Sequence, residues 1–188
     1  MTRVVILYYS RNGATQQLAD AIAEGVTAAG GEAVLRSTGH GSDAVSDRDL
    51  EIENTDLESC DALILGSPTR FGHMASSLQK FWEGTSREWL QATLTDKPGA
   101  VFTSSSSLHG GQESTLLTLA LPLLHHGMML VGIPYSEPAL HQTQSGGSPY
   151  GASHHEHSNK LTDHEKQCAI ALGKRVTQTA SKLSLIHI

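Results

Sequence analysis

Ser10, Asn12 and Thr15 fall around a single glycine in the run Ser10-Arg11-Asn12-Gly13-Ala14-Thr15. Two hydroxyls and an amide supply hydrogen-bond donors, and Gly13 permits a tight turn, so the run has the chemistry of an anion site. Val4 to Tyr9 precede it as an unbroken apolar run, the pattern of a strand buried on both faces of a parallel sheet. A helical pattern follows at once. A helix N-terminus presents unpaired N–H groups and the positive end of a dipole, which favours a phosphate. No lysine follows in G-x-x-x-x-G-K-[ST] order, so a nucleoside triphosphate is excluded. The turn also has one glycine where a dinucleotide loop needs three, and the looser match at Gly39 to Ala44 opens no helix. The same residues also suit an ordinary strand–turn–helix junction.

Two further stretches carry comparable chemistry. Gly66-Ser67-Pro68-Thr69-Arg70-Phe71-Gly72 follows the apolar run Ala62 to Leu65, and Thr103 to Ser107 with His109-Gly110-Gly111 follows Ala100-Val101-Phe102. Arg70 suits stabilisation of negative charge on a ligand; a surface ion pair is the plainer alternative. His125 and His126 stand at the end of a helical segment, where the dipole favours a cation. Either could donate a proton or simply cap helix carbonyls. Trp89 suits a core as readily as a site. His154, His155 and His157 invite a metal, but without cysteine or clustered carboxylates a solvated loop is the better reading, and no metal is expected.

Elements that would position these groups can be read from periodicity. Leu18, Ile22 and Val26 give a helix over 15–29, stopped by Gly30-Gly31, and Ala33 to Leu35 form a short strand. Residues 36–59 read as a polar connection with at most one loose turn. A helix starts near Ser76 with Leu78, Phe81 and Trp82 inward. Residues 112–126 are apolar almost all round, with a kink expected at Pro122. Met128 to Ile133 form the last strand, and 134–161 a long irregular loop. Thr162-Asp163-His164-Glu165 is a capping box, with Leu172, Val176 and Leu183 on the inner face of the final helix. Alternating strands and helices with buried strands indicate an α/β doubly wound parallel sheet, whose ligands sit beyond the carboxyl ends of the strands.

Length and charge narrow the class. A chain of 188 residues fits one domain over 1–188, and 38% hydrophobic with 17% charged residues indicates neither disorder nor a membrane span. The net charge of −6 argues against nucleic acid. Cys60 and Cys168 are too few for a disulfide framework. No signal peptide is recognisable, and a soluble, cytoplasmic protein is expected.

Several of these motifs together also carry a resemblance. Ser10 to Thr15 resembles the FMN-phosphate loop of flavodoxin-like proteins, in which the ligand sits at the point where strand order reverses. Gly66 to Gly72, the Ser-rich loop ending Gly110-Gly111-Gln112-Glu113, Leu124-His125-His126-Gly127-Met128 and Gly147-Ser148-Pro149-Tyr150-Gly151 resemble the WrbA family of NAD(P)H:quinone oxidoreductases. The resemblance implies a flavodoxin-like five-stranded sheet of order 2-1-3-4-5, FMN as cofactor, NADH or NADPH as donor, a quinone acceptor and a homotetramer. By position, Ser10, Arg11, Asn12, Gly13, Ala14 and Thr15 would hold the phosphate. Pro68, Thr69, Arg70, Phe71 and Gly72 would flank the flavin, and Ser104, Ser105, Ser106, Ser107, His109 and Gly110 would close its far side. His125 would stand beside the ring as a catalytic group with Arg70, and Trp89 would meet the substrate. The family often has an aromatic residue where Asn12 sits, and the third loop is one residue longer here. The expected reaction is two-electron quinone reduction by ping-pong hydride transfer through flavin N5. The alternatives are a one-electron carrier and a flavin-binding partner protein without turnover.

Overall fold

Strand β1 (Arg3–Tyr8) runs down the middle of one parallel sheet, with Val4 to Tyr8 buried on both faces. The computed structural model describes residues 1–39, 48–156 and 160–186. In chain order, β1 is followed by α1 (Ala14–Ala28), β2 (Glu32–Ser37), α2 (Asn54–Ser59), β3 (Ala62–Pro68), α3 (Ser76–Glu83) and α4 (Ser86–Leu90). Then come β4 (Pro98–Ser105), α5 (Gln112–His125), β5 (Met129–Leu130), α6 (Ala139–Gln142), β6 (Ala152–His155) and α7 (Asp163–Ile186). The strands lie in the order β2-β1-β3-β4-β5, as expected.

Period-two alternation along β1 assigns its residues to two cores. Val4, Ile6 and Tyr8 face one layer, with Leu18 and Ile22 of α1 and Leu172 and Val176 of α7. Val5 and Leu7 face the other, with Leu57, Leu78, Trp82, Leu116, Leu119 and Leu123 of α2, α3 and α5. Helices α1 and α7 meet at glycines. A Cβ on Gly25 would stand 2.1 Å from Ile170 O, and one on Gly173 would stand 2.2 Å from Ile22 O. Nothing larger fits without moving a helix.

The fifth sheet position departs from expectation. Strand β5 is only Met129–Leu130, paired with Pro98 and Gly99, and both of its residues are exposed. Strand β6 takes up the rest of the edge, Phe102 to Ser105 pairing with Ala152 to His155. One strand position is thus filled by two segments, with 131–151 looped out between them, and the sheet has six strands rather than five. The expected strand 128–133 is accordingly too long. The expected loop 134–161 contains α6 and a strand, and His154 is buried inside the fold rather than solvated. His157 lies outside the described residues, as does the match at Gly39 to Ala44 beyond Gly39. The polar connection also contains a capped helix, α2, whose Glu53 and Asp56 bond reciprocally.

Helix α5 runs on through Pro122 to His125. Its Leu116, Leu119 and Leu123 are buried, while Leu117, Leu121 and Leu124 remain about half exposed. The excursion after β5 does not fold back to cover them.

Candidate active site

The three loops after β1, β3 and β4 converge at the carboxyl edge of the sheet. Arg11, Asn12, Pro68, Thr69, Arg70, Ser104, Ser105 and Ser106 line one cavity of about 400 Å³, joined by a residue to which the sequence pattern assigns no role, Glu156. Gly13 adopts φ 87° as the N-cap of α1, and no side chain caps that helix. Its own N–H donates to Ser10 Oγ at 3.1 Å. The open first turn is therefore available to an anion, and Ser10 keeps its hydroxyl proton free for one. Ala14 begins the helix, and Thr15 turns inward, buried, to meet Ser104 Oγ at 3.0 Å.

The second loop is held in an unusual shape. Arg70 and His73 exchange backbone hydrogen bonds of 2.8 and 3.1 Å around Phe71 and Gly72, both at positive φ. Gly72 relaxes into that geometry; Phe71, at φ 53°, does not. The turn is fastened to α5, because Thr115 Oγ1 donates to Thr69 Oγ1 at 2.7 Å. The result presents the Phe71 ring fully to solvent beside the cavity. Arg70 donates from Nη1 to Thr69 O at 3.1 Å, and no carboxylate among the described residues pairs with it, which removes the surface ion pair as its explanation.

The third loop is organised by Gln112, which donates to Ser105 Oγ at 2.8 Å and to His154 O at 3.4 Å. Ser105 in turn donates to Ser107 O at 2.8 Å. Ser106, Ser107, His109 and Gly110 lie exposed on the outer bend, and only Ser106 of these reaches the cavity wall. Behind the loop stands Glu165, fully buried. It accepts from His154 Nδ1, from the N–H of Gly146 and His155 and from the Thr162 N–H of its capping box, all at 2.8–2.9 Å. Burial alone would raise its pKa, but the His154 ring and these backbone donors outweigh it and bring the carboxyl to about 2. Among the described residues no group of three or more histidine, cysteine or acidic side chains is placed to hold a metal. Both thiols are buried, which pushes each up to about 11 and leaves them protonated at neutral pH.

His125 and Trp89 are brought together, but not here. Trp89 Nε1 donates to His125 O at 2.9 Å, capping the end of α5 with a half-exposed indole. Both residues line a separate pocket of about 290 Å³ with Gln79, Trp82, Thr85 and Pro122. The topology requires this. α5 leaves the carboxyl end of β4 and returns, so that Met129 pairs with Pro98 at the amino end. A helix of 14 residues is roughly 21 Å long. Within one chain, then, His125 and Trp89 lie apart from the cavity formed by the three loops. A groove of about 1060 Å³ between α3 and α5 connects the two places; it shares Arg11 and Arg70 with one pocket and Gln79, Trp82 and Pro122 with the other.

Beneath the second pocket His126 is buried, its Nε2 3.0 Å from Thr85 Oγ1 and its ring tilted against Trp82 at 5.1 Å. Burial lowers its pKa, with the Glu88 carboxylate opposing. Glu88 is itself buried, and neither of its oxygens has a hydrogen-bond partner among the described residues; the same holds for Trp82 Nε1 and His126 Nδ1.

Comparison with known proteins agrees with this architecture. A flavodoxin-domain family model matches residues 5–121. A protein of Gluconacetobacter diazotrophicus named NAD(P)H dehydrogenase (quinone) is 39% identical, the match covering 98% of this chain and all of the relative. Another of that name from Chromohalobacter salexigens is 40% identical with the same coverage. The crystal structure of a WrbA-like flavodoxin from Agrobacterium tumefaciens superposes with a TM-score of 0.73 at 26% identity, over 97% of this chain and 99% of that one. An archaeal flavodoxin at 18% identity and TM-score 0.67, covering 96% of this chain and 99% of its own, shares the fold. With loops, topology and relatives in agreement, the chain belongs to the WrbA family of flavodoxin-domain NAD(P)H:quinone oxidoreductases.

Proposed function

We propose that this chain is an FMN-dependent NAD(P)H:quinone oxidoreductase whose active site is completed by a second copy within a homotetramer. The observation that carries the reading is the separation of the two pockets. The carboxyl-edge loops offer a cradle for a phosphate and a flat ring, while His125 and Trp89 sit at the opposite edge of the same chain. The half-exposed leucines of α5 and the bare Phe71 ring form apolar surface of the kind that marks an interface.

FMN, when bound, supplies a ring that takes two electrons from NADH or NADPH and passes them to a quinone. Ser10, Asn12 and the open first turn of α1 hold the phosphate, with Gly13, Ala14 and Thr15 shaping that turn. Thr69, Arg70 and Phe71 would flank the ring, where the Arg70 guanidinium would favour negative charge on it. The Ser104–Gly110 loop closes the far side. His125 of a neighbouring copy, at a helix C-terminus, donates a proton to the quinone oxygen as charge builds there. Trp89 of the same copy stacks on the quinone. Donor and acceptor use one place in turn, so double-reciprocal plots should be parallel.

Turnover per flavin and sedimentation, measured together over a dilution series, test this. Turnover that falls as the assembly dissociates, with FMN still bound, supports a shared site. Constant turnover from a monomer overturns it.

A further inference from the structure

The hydroxyls under the floor of the carboxyl-edge cavity form a chain with a direction, and Glu156 sets it. Ser104 Oγ lies 3.0 Å from Glu156 Oε1 and 3.0 Å from Thr15 Oγ1. An ionised carboxylate only accepts, so Ser104 directs its single proton to Glu156. The remaining bond must then run from Thr15 to Ser104. Each hydroxyl carries one proton, so Thr15 has none left for an anion at the first turn of α1. Thr15 and Ser104 are both buried. Glu156 is anchored by its own N–H, which donates to Ser105 O at 2.8 Å one residue beyond the β4–β6 pairing. It also lines the cavity with Arg11 and Arg70, and so faces whatever binds there.

We propose that Glu156 is a specificity-determining residue for the cofactor: by drawing the Ser104 and Thr15 protons toward itself, it withholds one hydrogen bond from the cofactor's phosphate and keeps FMN affinity below what the loop would otherwise give. This rests on the reading that Ser10 to Thr15 hold a phosphate. A glutamine at 156 permits the reverse chain, because its NH₂, unlike a carboxylate oxygen, can donate to Ser104 Oγ. Ser104 then donates to Thr15, and the Thr15 proton turns to the phosphate.

The experiment is flavin fluorescence titration of apoprotein with FMN and with riboflavin, which lacks the phosphate, at fixed pH and ionic strength. Glu156→Gln is expected to bind FMN about tenfold tighter, the effect of one hydrogen bond to a charged group, with riboflavin affinity unchanged within about twofold. Glu156→Ala, which frees Ser104 without supplying a donor, should gain less. In a Thr15→Val background the gain from Glu156→Gln should vanish. A wild type that prefers FMN, combined with a Gln variant that gains nothing, overturns the proposal alone. An equal gain for riboflavin also overturns it, because Glu156 would then act on the ring or its ribityl chain. A wild type that binds FMN no better than riboflavin overturns the phosphate placement, and this proposal with it.

Discussion

The two edges of the sheet are built on opposite principles. At the carboxyl edge most of the buried polar groups are paired within the chain: Thr69 with Thr115, Ser105 with Gln112, and Glu165 with three backbone N–H groups and His154 Nδ1, leaving His154 Nε2 as the buried atom without a partner among the described residues. At the amino edge Glu88, Trp82 Nε1 and His126 Nδ1 lie buried without partners among the described residues, under a half-exposed Trp89. The first edge closes most of its hydrogen bonds within one chain. The second has the chemistry of a surface that functions against something else. The lesson is that a family's site residues can sit on one chain without belonging to one pocket.

The largest effect should come from separating the two edges genetically. The double substitution Trp89→Ala with His125→Ala is expected to lower quinone turnover by about a hundredfold or more, the scale of losing a general acid, while FMN affinity measured by fluorescence moves less than about twofold. If FMN affinity falls as steeply as turnover, the comparison is broken.

Acid should release the two edges at different pH. His126 has a lowered folded pKa, so the stability that depends on its neutral form is complete above about 6.5 and declines as pH falls through the folded value. Glu165 is also lowered, to about 2 from 4.5, and its contribution is complete above 4.5 and lost as pH falls toward 2. That shift corresponds to about 3 kcal/mol. Amide exchange followed by mass spectrometry should show α4 and the end of α5 loosening before β6 does, and Glu165→Gln should remove the later transition. Simultaneous loosening would argue against the distinction.

Smaller changes sharpen the description of the cradle. Ser10→Ala removes a hydroxyl whose proton is free for the phosphate, and FMN affinity should fall about ten- to a hundredfold, with the sedimentation profile unchanged. Asn12→Tyr restores an aromatic face at the exposed lip of the cavity. It should lower KM for the nicotinamide nucleotide by roughly two- to tenfold, within the range of an aromatic stacking contact, and leave the quinone KM alone.

Much of this was legible in the residues. The unbroken apolar run of β1 and the donor-rich turn after it pointed to the carboxyl-edge cavity, and alternation of strand and helix patterns indicated the doubly wound sheet, with the family resemblance supplying its order. Strand β6 was not legible. Ala-Ser-His-His has no strand signature, and the burial of His154 depends on Glu165, eleven residues away in sequence, which takes the imidazole Nδ1. The capping box pointed to one oxygen of Glu165 and said nothing of the other. Glu156 looked like one more polar residue in a histidine-rich stretch. The position of His125 within its own chain was within reach of counting, since a helix that starts at one edge of a sheet ends at the other.

The divided fifth strand also makes the chain unusually receptive to remodelling. Leu130 and Ala152, where the chain leaves the sheet and rejoins it, pair with Gly99 and Phe102 of the same neighbouring strand. Their separation is therefore only about 10 Å, set by strand geometry, and it is fixed by β4 rather than by the intervening segment. A foreign domain whose own termini lie close together could be spliced into the exposed turn at Tyr135 and Ser136, because β4 would still hold both ends of the divided strand in register. Loop closure costs grow only slowly with length. The same turn is a place where the chain can lengthen or shorten without disturbing the sheet.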